Sequence, residues 1–169
     1  MNLIPDPILA DCLRKRLEGA CRIAIVGIGD ELSPVDRLGM LAAREVEPLH
    51  LPGVRVFLAG TVPESITAPL RRFHPDHVLL FDAADMGARP GTIACIGPGT
   101  IEASSLSTHA LPLSVVMEFI EQDSRARVTL VGIQPDMTGG LLLKEQDFFI
   151  VDFSGLLGIL RDICEKKSE

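Results

Sequence analysis

The sequence predicts an α/β domain, a three-layer sandwich whose mostly parallel, twisted sheet of about five strands carries helices on both faces. Two observations predict this class. Short β-branched runs alternate along the chain with segments that have helical apolar spacing. Several strand runs are also apolar almost throughout, as in residues 22–27 and 78–81, which is typical of strands buried on both faces of a parallel sheet.

Length, composition and charge limit the range of functions. The chain has 169 residues, 47% of them hydrophobic and 23% charged, and no repeat or linker divides it, so we expect a single domain over residues 1–169. A net charge of −7 disfavours nonspecific binding to nucleic acid and docking on anionic membranes. The apolar runs are only as long as strands, so we expect no membrane insertion. No secretory signal is visible and the four cysteines are dispersed, so we expect a cytoplasmic protein.

The predicted strands are short apolar runs bounded by turn residues, and most are rich in Val and Ile. The fourth run comes just after Pro90-Gly91, a short distance from the third run. This connection is too short for a parallel crossover, so we expect an antiparallel edge strand there. In chain order the predicted strands are residues 22–27, 54–59, 77–81, 92–96 and 128–133.

The predicted helices have apolar residues at helical spacing and a cap or a proline at their start. Asp6-Pro7 supplies a cap and a first-turn proline, and the next three helices are expected to begin at Pro34, Pro63 and Pro112. The last helix runs over residues 153–164 and ends near two lysines, which suit the negative end of a helix.

In a parallel sheet, ligand sites form at the carboxyl ends of the strands, so the residues after each strand are the first candidates. Gly27-Ile28-Gly29 begins like a dinucleotide-binding fingerprint, but Leu32 stands where the third glycine belongs. The second strand also ends without the acidic residue that such a site uses. The two glycines can equally serve a tight turn from strand to loop.

Three polar side chains fall in loops that such a sheet brings to one edge. Asp36 lies near the first turn of the second helix, where it can also act as a cap. Asp82 directly follows the third strand, where a carboxylate needs a partner, a cation or a solvent-filled cleft, and Asp85 competes for the same role. His109 precedes a helix start, which keeps the imidazole neutral, although a structural hydrogen bond would also explain it. Two carboxylates and a neutral imidazole could bind a divalent transition metal, or they could be three unrelated loop residues.

Other nucleophilic or metal-ligating side chains show no comparable pattern. The sequence has no Gly-x-Ser-x-Gly elbow and no Cys-x-x-Cys pair. His50, His74 and His77 lie beside prolines or at a strand start, and we expect them at the surface.

Five blocks of residues, in order along the chain, resemble the hydrogenase maturation proteases, the endopeptidases that process the large subunit of NiFe hydrogenases. The likeness is greatest to the branch that serves hydrogenases of the formate-hydrogenlyase (hydrogenase 3) type. Its most branch-specific block is Gly132-Ile133-Gln134-Pro135-Asp136. The five blocks are residues 27–39, 60–64, 81–91, 107–113 and 132–136.

The resemblance implies a twisted α/β sheet flanked by helices and a cytoplasmic enzyme. Such an enzyme removes a short C-terminal extension from the large-subunit precursor after nickel insertion. The resemblance also implies that Asp36, Asp82 and His109 are the catalytic, nickel-contacting residues. It implies no permanent cofactor, because the nickel is already bound in the precursor and serves as the recognition element. The resemblance also implies that other divalent ions can occupy the same ligands in vitro.

Two features depart from the family pattern. Asp30 stands where the family usually has Asn, and Pro34-Val35 replace part of a Gly-Asp-Asp run, while the acidic residue at Asp36 is retained. These changes bear on the shape of the loop and on metal selectivity. The Pro34-Val35 departure leaves open a non-cleaving chaperone that checks nickel loading of the same partner. The second alternative is a flavodoxin-like nucleotide-binding domain, against which the missing third glycine counts.

Overall fold

A computed structural model describes residues 6–97, 101, 111–138 and 150–166 of the chain. It confirms the predicted fold class, because a five-stranded sheet has the order β2-β1-β3-β5-β4 and is parallel except for β4, which runs antiparallel to β5. The expectation of an antiparallel edge strand after Pro90-Gly91 is thus confirmed. The strands are β1 (Ile23–Ile28), β2 (Val54–Gly60), β3 (His77–Ala83), β4 (Ile93–Ile96) and β5 (Arg127–Ile133).

Helices cover both faces of the sheet, as predicted. Of the helices with bounds in the described residues, the first, second and last lie on one face and two lie on the other. None of the described helices has the length and apolar character needed to cross a membrane. The helices are α1 (Pro7–Arg16), α2 (Leu38–Val46), α3 (Thr67–Phe73), α4 (Leu113–Ser124) and α5 (Ser154–Glu165), with short 3-10 turns at Glu47–Leu49 and Pro63–Ile66.

Side chains of β1 and β3 alternate between two apolar cores because successive residues of a strand point to opposite faces. Leu79 and Phe81 of β3 pack with α1, α2 and α5, whereas Val78 and Leu80 pack with α3 and α4. Every residue of β1 and β3 is buried, which explains why both strands are apolar almost throughout.

Two helix starts differ from the prediction because the prolines open turns that are not yet α-helical. The carbonyl oxygen of Ser33 accepts hydrogen bonds from the backbone N–H groups of both Asp36 and Arg37, and α2 begins only at Leu38, not at Pro34. Pro63 likewise opens a 3-10 turn that precedes α3.

One histidine was wrongly expected at the surface. His77 is 1% exposed and its Nε2 lies 2.8 Å from Oγ1 of Thr129 on the neighbouring strand, so a buried polar partner replaces water. His50 and His74 are exposed, as expected, and both adopt left-handed backbone conformations where helical turns end.

Candidate functional site

The candidate site lies at the carboxyl ends of β1 and β3, the two central neighbours of the sheet. From β1 the chain continues through α2 to β2 on one side, whereas β3 leads to β4 and β5 on the other side. The sheet order therefore reverses between β1 and β3, and open α/β sheets bind ligands at such a switch point. Asp36 follows β1 and Asp82 lies near the end of β3, so both belong to this edge.

The loop that carries Asp36 turns back sharply after β1. Gly29 has φ 128°, and a side chain at this position would meet the carbonyl oxygen of Asp36. The backbone N–H of Gly29 also donates to the carbonyl oxygen of Gly60 at the end of β2, at 2.9 Å. The second glycine of Gly27-Ile28-Gly29 thus serves a tight turn, the alternative to a nucleotide fingerprint.

Hydrogen bonds within this loop orient the Asp36 carboxylate. The backbone N–H of Asp30 donates to Oδ2 of Asp36 at 2.9 Å, and the N–H of Leu32 donates to the Asp30 carboxylate at 2.9 Å. The N–H of Asp36 itself donates to the Ser33 side chain at 3.3 Å. Asp36 Oδ1 is buried and accepts no hydrogen bond within the part of the chain that the structure describes. One oxygen of this carboxylate is thus fixed by the backbone, while the other keeps its lone pairs available.

Helix α2 lies very close to the ends of β1 and β3 because it carries a glycine at the contact. A Cβ atom at Gly39 would overlap the backbone carbonyl oxygens of Phe81 and Ile28. Gly39 is three residues after Asp36, and Phe81 directly precedes Asp82. This close approach places the Asp36 turn next to the end of β3.

Asp82 lies within β3 and not just beyond it, because the strand extends to Ala83. Its Cα is paired with that of Gly132 on β5, and the residue is 1% exposed. By strand alternation Asp82 shares the face of Leu80, the face that α4 covers. A carboxylate at such a depth is costly unless a donor or a cation compensates its charge.

The competing residue Asp85 has a structural explanation. It is exposed, and its Oδ1 accepts the backbone N–H of Gly87 at 3.1 Å and the amide of Gln134 at 3.3 Å. Asp85 therefore shapes the loop after β3.

His109 lies outside the described residues. Helix α4, which begins four residues later at Leu113, packs on the face of the sheet that carries Asp82. Among the described residues, no group of three or more His, Cys, Asp and Glu side chains is placed to hold a metal ion. The structure thus places Asp36 and Asp82 at one edge of the sheet, and the expectation for His109 stays a prediction.

The role of Gln134 is not evident from the sequence, although the residue lies in the most branch-specific block. The structure shows a buried amide, 3% exposed, whose hydrogen bonds reach the loop after Asp82. A polar residue directly after an apolar strand is the signal that identifies such a position.

Comparison with known proteins decides the family. A family model described as hydrogenase maturation protease matches residues 41–144. The chain belongs to this family. The family model and its curated relatives are named as proteases, so the chain is a peptidase, and the expected family and enzyme class are confirmed.

Individual hydrogenase maturation proteases resemble this chain over most of its length. A Methanocaldococcus jannaschii protein that carries the provisional name of such a protease is 29% identical over 168 residues, 94% of this chain and 97% of that protein. The hydrogenase 3 maturation protease of Escherichia coli is 32% identical over 113 residues, 66% of this chain and 72% of that protein. The crystal structure of a NiFe hydrogenase maturation protease from Thermococcus kodakarensis has a TM-score of 0.63 and 27% identity, and the match covers 93% of this chain and 96% of that one.

Proposed function

We propose that this peptidase removes the C-terminal extension of a NiFe hydrogenase large-subunit precursor after nickel insertion. We further propose that it recognises the bound nickel through Asp36, Asp82 and His109. The nickel belongs to the substrate, and the peptidase needs no resident cofactor. The proposal places the enzyme in the cytoplasm, where such a precursor would be loaded with metal.

The observation that carries this proposal is the state of the Asp36 carboxylate. Its Oδ2 is held by the backbone N–H of Asp30, whereas its buried Oδ1 accepts no hydrogen bond from the described residues. A carboxylate oxygen withdrawn from water in this way is stabilised by a cation. Carboxylate and imidazole ligands suit divalent transition metals such as nickel.

A second carboxylate at the neighbouring strand end supports the same proposal. Asp82 is 1% exposed and lies at the switch point of the sheet, next to the turn that carries Asp36. A cation bound at this edge would compensate the charge of a carboxylate buried at such a depth.

The enzyme recognises the precursor by completing the coordination sphere of its nickel, and this recognition sets the order of metal insertion and cleavage. Thiolates of the precursor hold nickel with positions left open, and Asp36, Asp82 and His109 fill some of them. A precursor without nickel makes none of these contacts and binds more weakly, which is specificity by a difference of affinities. Cleavage therefore follows metal insertion. The bond itself can be cut by water that a carboxylate activates as general base, or with the substrate nickel polarising the carbonyl group.

The test compares nickel-loaded and nickel-free precursor with wild-type enzyme and with Asp82→Asn and His109→Ala, and uses mass spectrometry to follow loss of the tail. We expect wild type to process only the loaded precursor and both variants to process neither, with unchanged thermal unfolding. Asp162→Asn, an exposed carboxylate on α5, is the matched control and should process normally. Equal cleavage of both precursors would contradict nickel recognition, and binding without cleavage would favour the chaperone alternative.

A further inference from the structure

The loop that follows β3, residues 84–91, is held in shape by the buried side chain of Gln134. Oε1 of Gln134 accepts hydrogen bonds from the backbone N–H groups of Met86, at 2.7 Å, and Ala88, at 3.2 Å. Its Nε2 donates to Oδ1 of Asp85 and to the carbonyl oxygen of Pro135, both at 3.3 Å. An amide side chain offers two N–H donors and an oxygen with two lone pairs, so all of its hydrogen-bonding capacity is used.

The backbone around Gln134 fixes the two ends of the same loop. The N–H of Ala84 donates to the carbonyl oxygen of Ile133 at 3.0 Å, and the N–H of Gly91 donates to the carbonyl oxygen of Gln134 at 2.8 Å. The N–H of Gln134 in turn donates to the carbonyl oxygen of Thr92 at 2.8 Å. The loop is therefore tied to the end of β5 at its start, in its middle and at its end.

This arrangement requires an amide of this length at position 134. Glu would keep an oxygen for Met86 and Ala88 but would lose both donated bonds and would face the Asp85 carboxylate. Met would fill a similar volume and lose all four bonds, and it would leave the two backbone N–H groups without this acceptor. The amide thus specifies the loop conformation beyond what packing alone would do.

The loop is part of the edge that holds the candidate site. It begins two residues after Asp82, and its residues at positions 85, 87, 89 and 90 are exposed. We expect a protein substrate that brings its metal to Asp82 to contact these exposed residues. A loop that is already ordered binds such a surface without an additional entropic cost.

We propose that Gln134 is a positioning residue, which keeps loop 84–91 in the conformation that contacts the large-subunit precursor. The proposal rests on the proposed function. Because the loop contacts the precursor both before and during the reaction, its loss weakens ground state and transition state alike. KM therefore rises while kcat at saturating precursor is retained.

The test measures kcat and KM for nickel-loaded precursor with wild type, Gln134→Glu and Gln134→Met. We expect KM to rise roughly ten-fold or more in Gln134→Met and less in Gln134→Glu, with kcat within about two-fold of wild type. Hydrogen exchange at the amides of Met86 and Ala88 should become faster in Gln134→Met, because these N–H groups lose their acceptor.

The matched control is Thr129→Val, which removes a buried hydrogen bond from β5, the strand that Gln134 directly follows. It should lower stability without changing KM. If the two amides exchange faster in Gln134→Met but KM equals that of wild type, the loop does not contact the precursor and the inference is wrong. If KM rises equally in Thr129→Val, general destabilisation explains the effect and the inference is also wrong. Failure of wild type to process any precursor would instead contradict the proposed function.

Discussion

Gly39 is the position where α2 lies closest to the ends of β1 and β3, and Gly39→Ala is expected to destabilise the protein. In a helix with free space around it, Ala is more stable than Gly by about 0.5–1 kcal/mol. At Gly39 the added Cβ would overlap the carbonyl oxygens of Phe81 and Ile28, which belong to the central strands and cannot rotate away. Overpacking of this kind costs about 1–3 kcal/mol.

The direction of the stability change distinguishes overpacking at Gly39 from an effect of helix propensity alone. Gly158 of α5 provides the control, because a Cβ there would meet no atom within 4 Å. Gly158→Ala should raise the free energy of unfolding, and Gly39→Ala should lower it. For a domain of this size, Tm shifts by about 2–4 °C per kcal/mol in thermal unfolding followed by circular dichroism. Displacement of α2 should also move the Asp36 turn and slow processing. Equal stabilisation by both substitutions would refute the packing argument.

Three further predictions concern stability. Thr129→Val should lower the free energy of unfolding by about 1–3 kcal/mol in urea titrations, because the buried ring of His77 loses this hydrogen bond of 2.8 Å; an unchanged midpoint would contradict this. Asp6→Ala should cost about 0.5–2 kcal/mol, because Asp6 caps α1 through Oδ1, and Asp6→Asn should cost less. Hydrogen bonds from Ser154 lower the pKa of Asp152 below its ordinary value of 3.8. The stability that these hydrogen bonds supply is therefore fully present above pH 3.8. It is lost as the pH falls through the lower pKa that Asp152 has in the folded protein. Asp152→Asn should therefore lose less Tm than wild type between about pH 5 and pH 3, and identical pH profiles would contradict this assignment.

Much of the fold could be predicted from the sequence because its strands are marked by continuous apolar runs. β1 and β3 are buried on both faces, and such strands have no polar alternation that could be mistaken for another structure. The start of α2 was predicted four residues early, because Pro34 fits a first helical turn as well as it fits the tight turns around Ser33. The hydrogen bonds that the Ser33 carbonyl oxygen accepts favour the tight turns over a first helical turn at Pro34.

The candidate site was predictable only in part, for a physical reason. Asp36 and Asp82 could be placed at one edge because the carboxyl ends of parallel strands share that edge. The network that orients Asp36 depends on backbone geometry at Gly29 and Asp30, and no residue pattern reveals it. Gln134 and His77 were missed because their partners lie on other strands or loops, at sequence separations of 46 to 52 residues.

Anomalous diffraction from a crystal soaked with a divalent nickel salt tests the central claim most directly. We expect one strong peak at the carboxyl ends of β1 and β3, directly coordinated by Asp36 Oδ1, a carboxylate oxygen of Asp82 and a ring nitrogen of His109. A peak ligated by other residues, or these three side chains turned away from a shared ion, would contradict it.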